Sequence, residues 1–320
     1  MITLKKAHEK FLDMAMSRGP RSKKDNLAEL KKVNEDFKKM DAKKKKYFDE
    51  EALVNPFRDS RILVGDEETK LKTVLVGIDI SVGEVMLANE LSKNGKKIDA
   101  VIAHHPEGRG LIDLTSVMDV HEDLAVMDGV PINIAEKLTK GRIGDLNRGL
   151  HAANHFQVPQ AAELLGIPLA CFHTFADNQC WWFLKKHVEK KKPKTVGDIV
   201  EALLEIPEYQ KAAKLGNKPT VFVGSEDSKV GKISFSGITG GTSGAKELYE
   251  SMATAGVGTI VAMHMGEEHK KLVEKYKMNV VVASHMASDS LGVNILMDEL
   301  EKKGVKILEC GGYIRVSRVK

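Results

Sequence analysis

The chain is poor in cysteine and has no long hydrophobic run. Only Cys171, Cys180 and Cys310 occur among the 320 residues, and no two of them show CxxC spacing. This sparse, odd-numbered set argues against a disulfide framework and against a thiolate zinc site, and it favours a reducing cytoplasm. No apolar run has the length of a membrane-spanning helix, and the first residues lack a secretory pattern, so a cytoplasmic location is expected.

The chain also lacks a strong excess of charge of one sign. Its formal net charge is +4, and the lysines cluster in 23–46 and 185–194. We interpret both clusters as solvated helix surfaces or loops rather than as one basic face, so nucleic-acid binding is not supported. The hydrophobic fraction of 42% and the charged fraction of 29% are typical of globular proteins.

A chain of this length exceeds the usual size of one domain, so two lobes with separate cores are predicted. Residues 1–55, rich in helix formers and broken at Gly19-Pro20, are predicted to form an N-terminal helical extension. Residues 56–194 are assigned to a first α/β lobe and residues 195–320 to a second, and this division allows the two lobes to be interleaved.

The first lobe contains a strand–helix–strand pattern. TVLVGIDI (73–80) is a short apolar run rich in β-branched residues, Ser81 is placed to cap the next helix, and IDAVIAHHP follows as a second strand. The stretch 115–167 is mostly helical in pattern and leads into a short strand, IPLACFHT (167–174). Such a unit predicts a parallel sheet with helical crossovers.

The second lobe shows a similar alternation. A helix from TVGDIVEALL is followed by PTVFVGSEDSKVGKISFS, which predicts a hairpin, and by the glycine-rich turn GITGGTSG. Strands are then predicted in GTIVAMH, NVVVASHM and VKILEC, with helices between them. The predicted fold class is therefore α/β, with two α/β lobes, a metal site in the cleft between them, and an N-terminal helical extension.

Histidine and aspartate side chains follow three of the predicted strands. They are His104 and His105 after AVIA, His173 and Asp177 after LACF, and His285 and Asp289 after VVAS. In α/β sheets, ligands bind at the carboxyl ends of strands, and mixed imidazole and carboxylate groups suit a dinuclear metal site. Each motif alone is often structural, whereas the three together favour a metal centre.

Other motifs give weaker signals. His151 and His155 share a helix face, but no glutamate lies between them in the HExxH sense, so a structural role is favoured. The loop 240–244 resembles an anion-binding turn yet lacks the lysine of a P-loop, and tight strand–helix packing explains it equally well. We interpret Trp181 and Trp182 as one core residue and one subunit contact rather than as walls of a substrate cleft.

Five motifs occur in the order found in one protein family: NPFRDSRILVGDEETKLKTVLVGIDIS, IDAVIAHHP, FHTFAD, GITGGTSG and SHMASD. Over about residues 55–310 the chain resembles the NGG-interacting factor three-like family, also called the GTP cyclohydrolase I type 2 homolog family. The resemblance implies two metal ions between two α/β lobes, and it implies a toroidal homo-hexamer. The metal ligands that it implies are His104, His105, Asp177, His285 and Asp289.

Two features depart from the family pattern. The late motif usually reads Gly-His with a glutamate four positions on, whereas here Ser284 precedes His285 and the acid is Asp289. The shorter side chain alters how far the carboxylate reaches between two metals. Phe175 also stands where the family commonly has asparagine, so a polar contact near the site is expected to be missing.

Two more histidines are candidates for contacts with a metal ligand or with a substrate. His173 is expected to orient a ligand or to donate a proton to substrate, and the alternative is an ordinary hydrogen-bonded buried histidine. His269 stands where the family also tends to have histidine, and the alternative is a plain helix-surface position.

Two functions remain open at this stage. The first is a metal-dependent hydrolase, with two divalent ions (Zn, Fe, Mn or Ni), that acts on a nucleotide or phosphoester. The resemblance supplies that substrate class only through the family's cyclohydrolase name. The second is a non-catalytic metal-binding oligomeric scaffold or regulatory interaction protein. An open coordination position would favour the first and a closed one the second.

Overall fold

The structure, a computed structural model, describes residues 1–319, and within them every helix is too short or too polar to span a bilayer. The helices are α1 (Leu4–Arg18), α2 (Lys23–Lys39), α3 (Ala42–Lys45), α4 (Val82–Lys93), α5 (Gly108–Ile112), α6 (Val120–Met127), α7 (Ile132–His151), α8 (Gln157–Leu164), α9 (His173–Lys191), α10 (Val196–Leu204), α11 (Pro207–Lys214), α12 (Leu248–Thr254), α13 (Glu267–Lys275) and α14 (His285–Glu301). The strands are β1 (Ser60–Val64), β2 (Thr73–Gly77), β3 (Ala100–Ala103), β4 (Leu169–Phe172), β5 (Thr220–Val223), β6 (Lys232–Gly237), β7 (Val257–Ala262), β8 (Asn279–Val282) and β9 (Lys306–Cys310).

The first sheet has the strand order β1-β4-β3-β2-β9. Only β1 runs antiparallel to its neighbour, and the other pairs are parallel. The crossover from β2 to β3 is α4, which begins after Ser81 in a capping box with Glu84, as the serine in the sequence predicts. Strands β2, β3 and β4 are almost entirely buried, which explains their unbroken apolar runs.

The second sheet has the order β5-β8-β7-β6, with α12 between β6 and β7 and α13 between β7 and β8. The predicted hairpin of β5 and β6 is wrong, because the two strands lie at opposite edges of this sheet. β6 pairs parallel with β7, and β5 pairs antiparallel with β8. Strands β7 and β8 are apolar and mostly buried. Pairing with β8 and β7 therefore gives β5 and β6 better-buried neighbours than pairing with each other would.

Both sheets are built mainly of parallel strands with helices between them, which confirms the predicted α/β class. The strand β9 follows the second sheet in sequence, yet it pairs with β2 in the first. The chain therefore crosses back after α14, and the elements of the two sheets are interleaved. The assignment of 56–194 and 195–320 to separate lobes stays a prediction.

Helices α9 and α14 lie side by side and contact both sheets. On α9, Phe175 belongs to a buried cluster with the first sheet, and Leu184 to a cluster with the second. On α14, Leu296 belongs to the cluster with the first sheet and Leu291 to the cluster with the second. A helix enclosed on several sides needs apolar residues around most of its circumference, and this explains the weak amphipathic pattern of both segments.

The N-terminal extension packs against the first sheet. Leu4, Ala7 and Phe11 on α1 are fully buried, and the Phe11 ring meets the Phe172 ring edge-on at 5.2 Å between centroids. In contrast, α2 buries only Asn26. The helical extension predicted from the sequence is confirmed, and its first helix completes the core of the first sheet.

Asp128, after α6, joins that helix to the second sheet. Its carboxylate accepts a hydrogen bond from the Ser234 hydroxyl, and burial raises the pKa of Asp128 to about 6. Because the folded state then holds this proton more tightly than the unfolded chain, the contribution of this group to stability falls as the pH rises from about 4 to 6.

We expect Asp128→Asn, which keeps an acceptor for Ser234, to gain up to about 3 kcal/mol of unfolding free energy over wild type across that pH interval. Urea unfolding of both proteins between about pH 4 and 7 measures this difference. A difference that stays constant with pH would contradict the assignment.

Candidate metal centre

Histidines follow the carboxyl ends of two strands in each sheet. His104 comes directly after β3 and His173 directly after β4, while His264 and His285 come two and three residues after β7 and β8. Neighbouring parallel strands end at the same edge of a sheet, so each pair of strands brings its histidines together. The sheets therefore supply imidazoles to one region from two directions.

One set of side chains, here called the inner group, consists of His104, Asp177 and Asp289. Nε2 of His104 lies 3.4 Å from Oδ1 of Asp177 and 3.6 Å from Oδ1 of Asp289. All three residues are buried, with exposed fractions of 1%, 5% and 1%. Each aspartate lies one helical turn into its helix, which explains how the His-xxx-Asp spacing directs its side chain back toward the strand ends.

A second set, here called the outer group, consists of His105, His285 and the same Asp289. Oδ2 of Asp289 lies 3.5 Å from Nε2 of His105 and 3.3 Å from Nε2 of His285. The side chains of both histidines are partly exposed, at 27% and 36%. Asp289 thus turns one carboxylate oxygen toward each group.

The spacings in both groups suit metal ligands. Two donor atoms bound at about 2.1 Å to one ion at a tetrahedral angle lie about 3.4 Å apart. The four distances between donor atoms lie between 3.3 and 3.6 Å. Direct hydrogen bonds to a carboxylate would be shorter, about 2.7–2.9 Å.

Buried polar atoms without partners give a second indication. Within the described residues, both ring nitrogens of His104, Oδ1 of Asp177 and both carboxylate oxygens of Asp289 accept or donate no hydrogen bond. Leaving such atoms buried and unpaired costs about 1–3 kcal/mol each, more for charged groups. A divalent cation would satisfy most of them, so these buried histidine and aspartate side chains fit a metal ion.

The electrostatics of the centre favour ligation. Burial opposes ionisation of Asp289, but the neighbouring imidazoles of His104, His105 and His285 hold its pKa below the usual range of an aspartate. Burial lowers the pKa of His104 to about 4, which keeps this imidazole neutral, the form that binds metals. Burial raises the pKa of Asp177 to about 7, so this carboxyl would release its proton when a metal ion binds.

Comparison with known proteins identifies solved structures that are similar to this chain. A NIF3 superfamily protein from Sphaerobacter thermophilus is 29% identical to this chain, with a TM-score of 0.71 over 80% of this chain and 91% of that one. The chain belongs to the NIF3 superfamily. Reduced HcgD from Methanocaldococcus jannaschii (14% identity, TM-score 0.48) and a Staphylococcus aureus hypothetical protein (15%, 0.45) each match over 78% of this chain and 88% of their own. No family model and no curated protein matches it.

The two departures from the expected NIF3 pattern have structural consequences. Ser284 has φ +80°, a backbone conformation that glycine adopts more readily, so the serine keeps the turn before α14 at some cost. Phe175 packs against Phe172, with 5.8 Å between ring centroids, and against His8 of α1 at 5.3 Å. Through His8, Phe175 thus contacts the N-terminal extension, a part of this NIF3 protein outside the family resemblance.

The structure separates the two histidines proposed for orienting or substrate roles. His173 lies against the inner group, with its ring centroid 4.9 Å from that of His104. His269 lines the adjoining cleft, and its Nδ1 lies 2.8 Å from the Tyr249 hydroxyl oxygen. His269 belongs to none of the ligand groups found within residues 1–319.

The sequence analysis missed His264. Its ring lies edge-on to that of His285 with 4.9 Å between centroids, and the residue is exposed. The signal was present, because His264 ends the predicted strand GTIVAMH in the same way that His104 and His285 follow theirs. This extra imidazole stands at the solvent side of the outer group.

The glycine-rich loop forms a wall of a cleft beside the centre. Gly240 and Gly241 have φ of +108° and +80°, and Nε2 of the buried His121 donates to the carbonyl oxygens of Gly240 (3.1 Å) and Thr242 (2.8 Å). A Cβ atom at Gly240 would meet the His121 ring at 2.6 Å, so glycine is required there. The cleft has a volume of about 80 Å³, and Asp177 and Asp289 are among the residues that line it.

The weaker sequence candidates lie outside the centre. His155 is buried and its Nε2 bonds to the carbonyl oxygen of Leu150 at 2.7 Å, as expected for a structural histidine, while His151 is exposed. Trp181 lies in the core with the second sheet, and the Trp182 ring is covered by Arg18 at 4.6 Å. The subunit contact proposed for the tryptophans stays a prediction.

Proposed function

We propose that the inner and outer groups bind two divalent metal ions and that the protein is a metal-dependent hydrolase of a nucleotide or phosphoester. The observation that carries the proposal is the position of Asp289. Its two oxygens face different ligand groups at 3.3–3.6 Å, as a carboxylate does when it bridges two cations. His104, His105, Asp177 and His285 complete the ligand set.

Two ions held in this way would polarise an oxygen of the substrate and make water acidic enough to serve as the nucleophile. The residues of the chain provide the rest. The inner group is shielded from solvent, because His104, Asp177 and Asp289 are all buried. The outer group is accessible to solvent through the partly exposed side chains of His105 and His285. His264 belongs to neither ligand group, so it can hold or release a proton at the solvent side while the ligands stay in place.

The cleft supports an oxygen-rich substrate. Thr239, Thr242 and Ser243 line the same cleft as Asp177 and Asp289. Hydroxyl groups and loop amides bind phosphate or hydroxyl oxygens without adding charge, which suits a substrate whose charge is neutralised mainly by metal ions. The substrate class itself is the one that the family resemblance implies.

The test combines metal content with turnover. Purified wild-type protein, His104→Ala and the matched control His155→Gln are loaded with Zn, Fe, Mn or Ni, and bound metal is counted by elemental analysis. We expect about two ions per chain in wild type and in His155→Gln, and fewer in His104→Ala. Nucleotides and phosphoesters are then screened for hydrolysis that chelation abolishes and metal restores. Fewer than one ion per wild-type chain would overturn the two-metal site.

The competing function is a non-catalytic oligomeric metal-binding scaffold. It is favoured by the burial of three of the five proposed ligands, since structural sites are closed by protein groups. Metal-replete protein that hydrolyses nothing in the panel, with variants that lose only assembly, would establish it. The homo-hexamer that the resemblance implies is a separate proposal, and light scattering in solution measures it.

A further inference from the structure

A buried carboxylate–imidazole pair lies directly behind the inner group. Strands β1 and β4 run antiparallel with Ser60 opposite Phe172, so the next residues along, Asp59 and His173, also face each other. Asp59 is fully buried, and its Oδ2 lies 2.9 Å from Nδ1 of His173. The register of an edge strand thus places an acid beside a histidine that begins α9.

The hydrogen bonds around Asp59 determine how the imidazole is oriented. Oδ2 also accepts from the Thr174 hydroxyl at 2.6 Å, and Oδ1 accepts from the Ser60 hydroxyl at 3.2 Å. A carboxylate only accepts, so the His173 proton that points at it sits on Nδ1. The other ring nitrogen, Nε2, then carries a lone pair and is available to bind a cation.

That nitrogen faces the inner group. Nε2 of His173 lies 3.7 Å from Oδ2 of Asp177, close to the separation of two ligands on one ion. Nitrogen atoms of His173, His104 and His105 all lie within 4.8 Å of one another. The pair therefore has the arrangement of a carboxylate that orients a metal-binding histidine through its far nitrogen.

We propose that His173 binds the inner metal ion through Nε2 and that Asp59 is the positioning residue that fixes its tautomer. This inference rests on the metal binding in the proposed function. The inner ion would then have four protein ligands, from His104, His173, Asp177 and Asp289, whereas the outer ion would have three and keep an open position. With a closed inner site beside an open outer one, exchange with substrate would take place at the outer ion.

The experiment uses His173→Gln and Asp59→Asn in the full-length protein, with His155→Gln as the control. His155 matches His173 in burial, 7% exposed in each case, but bonds to a backbone carbonyl away from the centre. Asp59→Asn keeps the shape of the side chain, yet its amide can donate to Nδ1 and so move the ring proton to Nε2. Circular dichroism of the metal-free proteins confirms that each variant is folded.

Each protein is titrated with Co²⁺, which reports coordination number through its visible absorption, and affinity is measured by competition with a chelator. We expect His173→Gln and Asp59→Asn to weaken one of the two ions by about 10- to 100-fold and to change the cobalt spectrum, with His155→Gln unchanged. If His173→Gln binds both ions with wild-type affinity and spectrum, His173 is not a ligand. If only Asp59→Asn behaves as wild type, Asp59 does not position the ring.

These outcomes are distinct from failure of the proposed hydrolase. Wild-type protein that binds two ions but turns over no substrate would remove the hydrolase function, while the cobalt spectra would still decide the role of His173. Conversely, active protein with an unaffected His173→Gln spectrum would retain the function and overturn this inference.

Discussion

Asp289→Ala is expected to release metal from both groups at once, with a loss of affinity greater than about 100-fold at each position. No other proposed ligand belongs to both groups. Without the Asp289 carboxylate, the outer group retains only His105 and His285, and the inner group retains only His104 and Asp177. Elemental analysis after desalting, followed by calorimetric titration of the metal-free protein, measures the loss.

The control is Asp289→Glu, which restores the acid that the family pattern has at this position. We expect it to keep both ions, because the longer side chain still carries two oxygens that can bridge. His105→Ala should weaken the outer ion more than the inner one, since its Nε2 faces Oδ2 of Asp289. Retention of two tightly bound ions by Asp289→Ala would show that this aspartate does not bridge.

Asp289→Ala should stabilise the metal-free protein, although it weakens metal binding. Asp289 is a buried carboxylate whose oxygens lack hydrogen-bond partners within residues 1–319, and such a group destabilises a fold. Metal binding to the native state adds stability in proportion to the logarithm of free metal concentration over the dissociation constant. Wild type should therefore gain thermal stability when metal is added, and Asp289→Ala should not.

The convergence of most side chains of the candidate site was predictable because it follows from chain geometry. Neighbouring parallel strands end together, so histidines after β3 and β4 must be neighbours, and a four-residue spacing at a helix start places Asp177 and Asp289 on the faces of His173 and His285. His264 follows by the same rule after β7. These positions depend only on local pattern and on the choice of a parallel sheet.

Other parts depend on pairings that no local pattern specifies. Asp59 reaches His173 only because β1 adds to β4 in one antiparallel register. The predicted hairpin of β5 and β6 failed for a related reason, since two short apolar strands joined by a polar turn look alike whether they pair with each other or with β8 and β7. Long-range burial decides between those outcomes, as it does for the return of β9 to the first sheet.

The close packing of α9 against α14 leads to the second large effect. Gly292, in the middle of α14, lies so near α9 that a Cβ atom there would be 2.3 Å from the carbonyl oxygen of Ala176. That obstacle is backbone, so it cannot rotate away and the helices must separate. Because Asp177 is the next residue on α9 and Asp289 lies one turn before Gly292, separation of the helices moves the two acids of the inner group apart.

Gly292→Ala is therefore expected to lower the unfolding free energy of the metal-free protein by about 1–3 kcal/mol and to weaken the inner ion as well. Metal–ligand distances tolerate deviations of only about 0.2 Å, less than the displacement that relieves this clash.

The matched control is Gly141→Ala on α7, where a Cβ atom meets nothing within 4 Å; this substitution should raise the unfolding free energy by up to about 1 kcal/mol. Denaturant unfolding and chelator competition measure both quantities, and unchanged metal affinity in a destabilised Gly292→Ala would show that the helix contact supports the fold without setting the geometry of the centre.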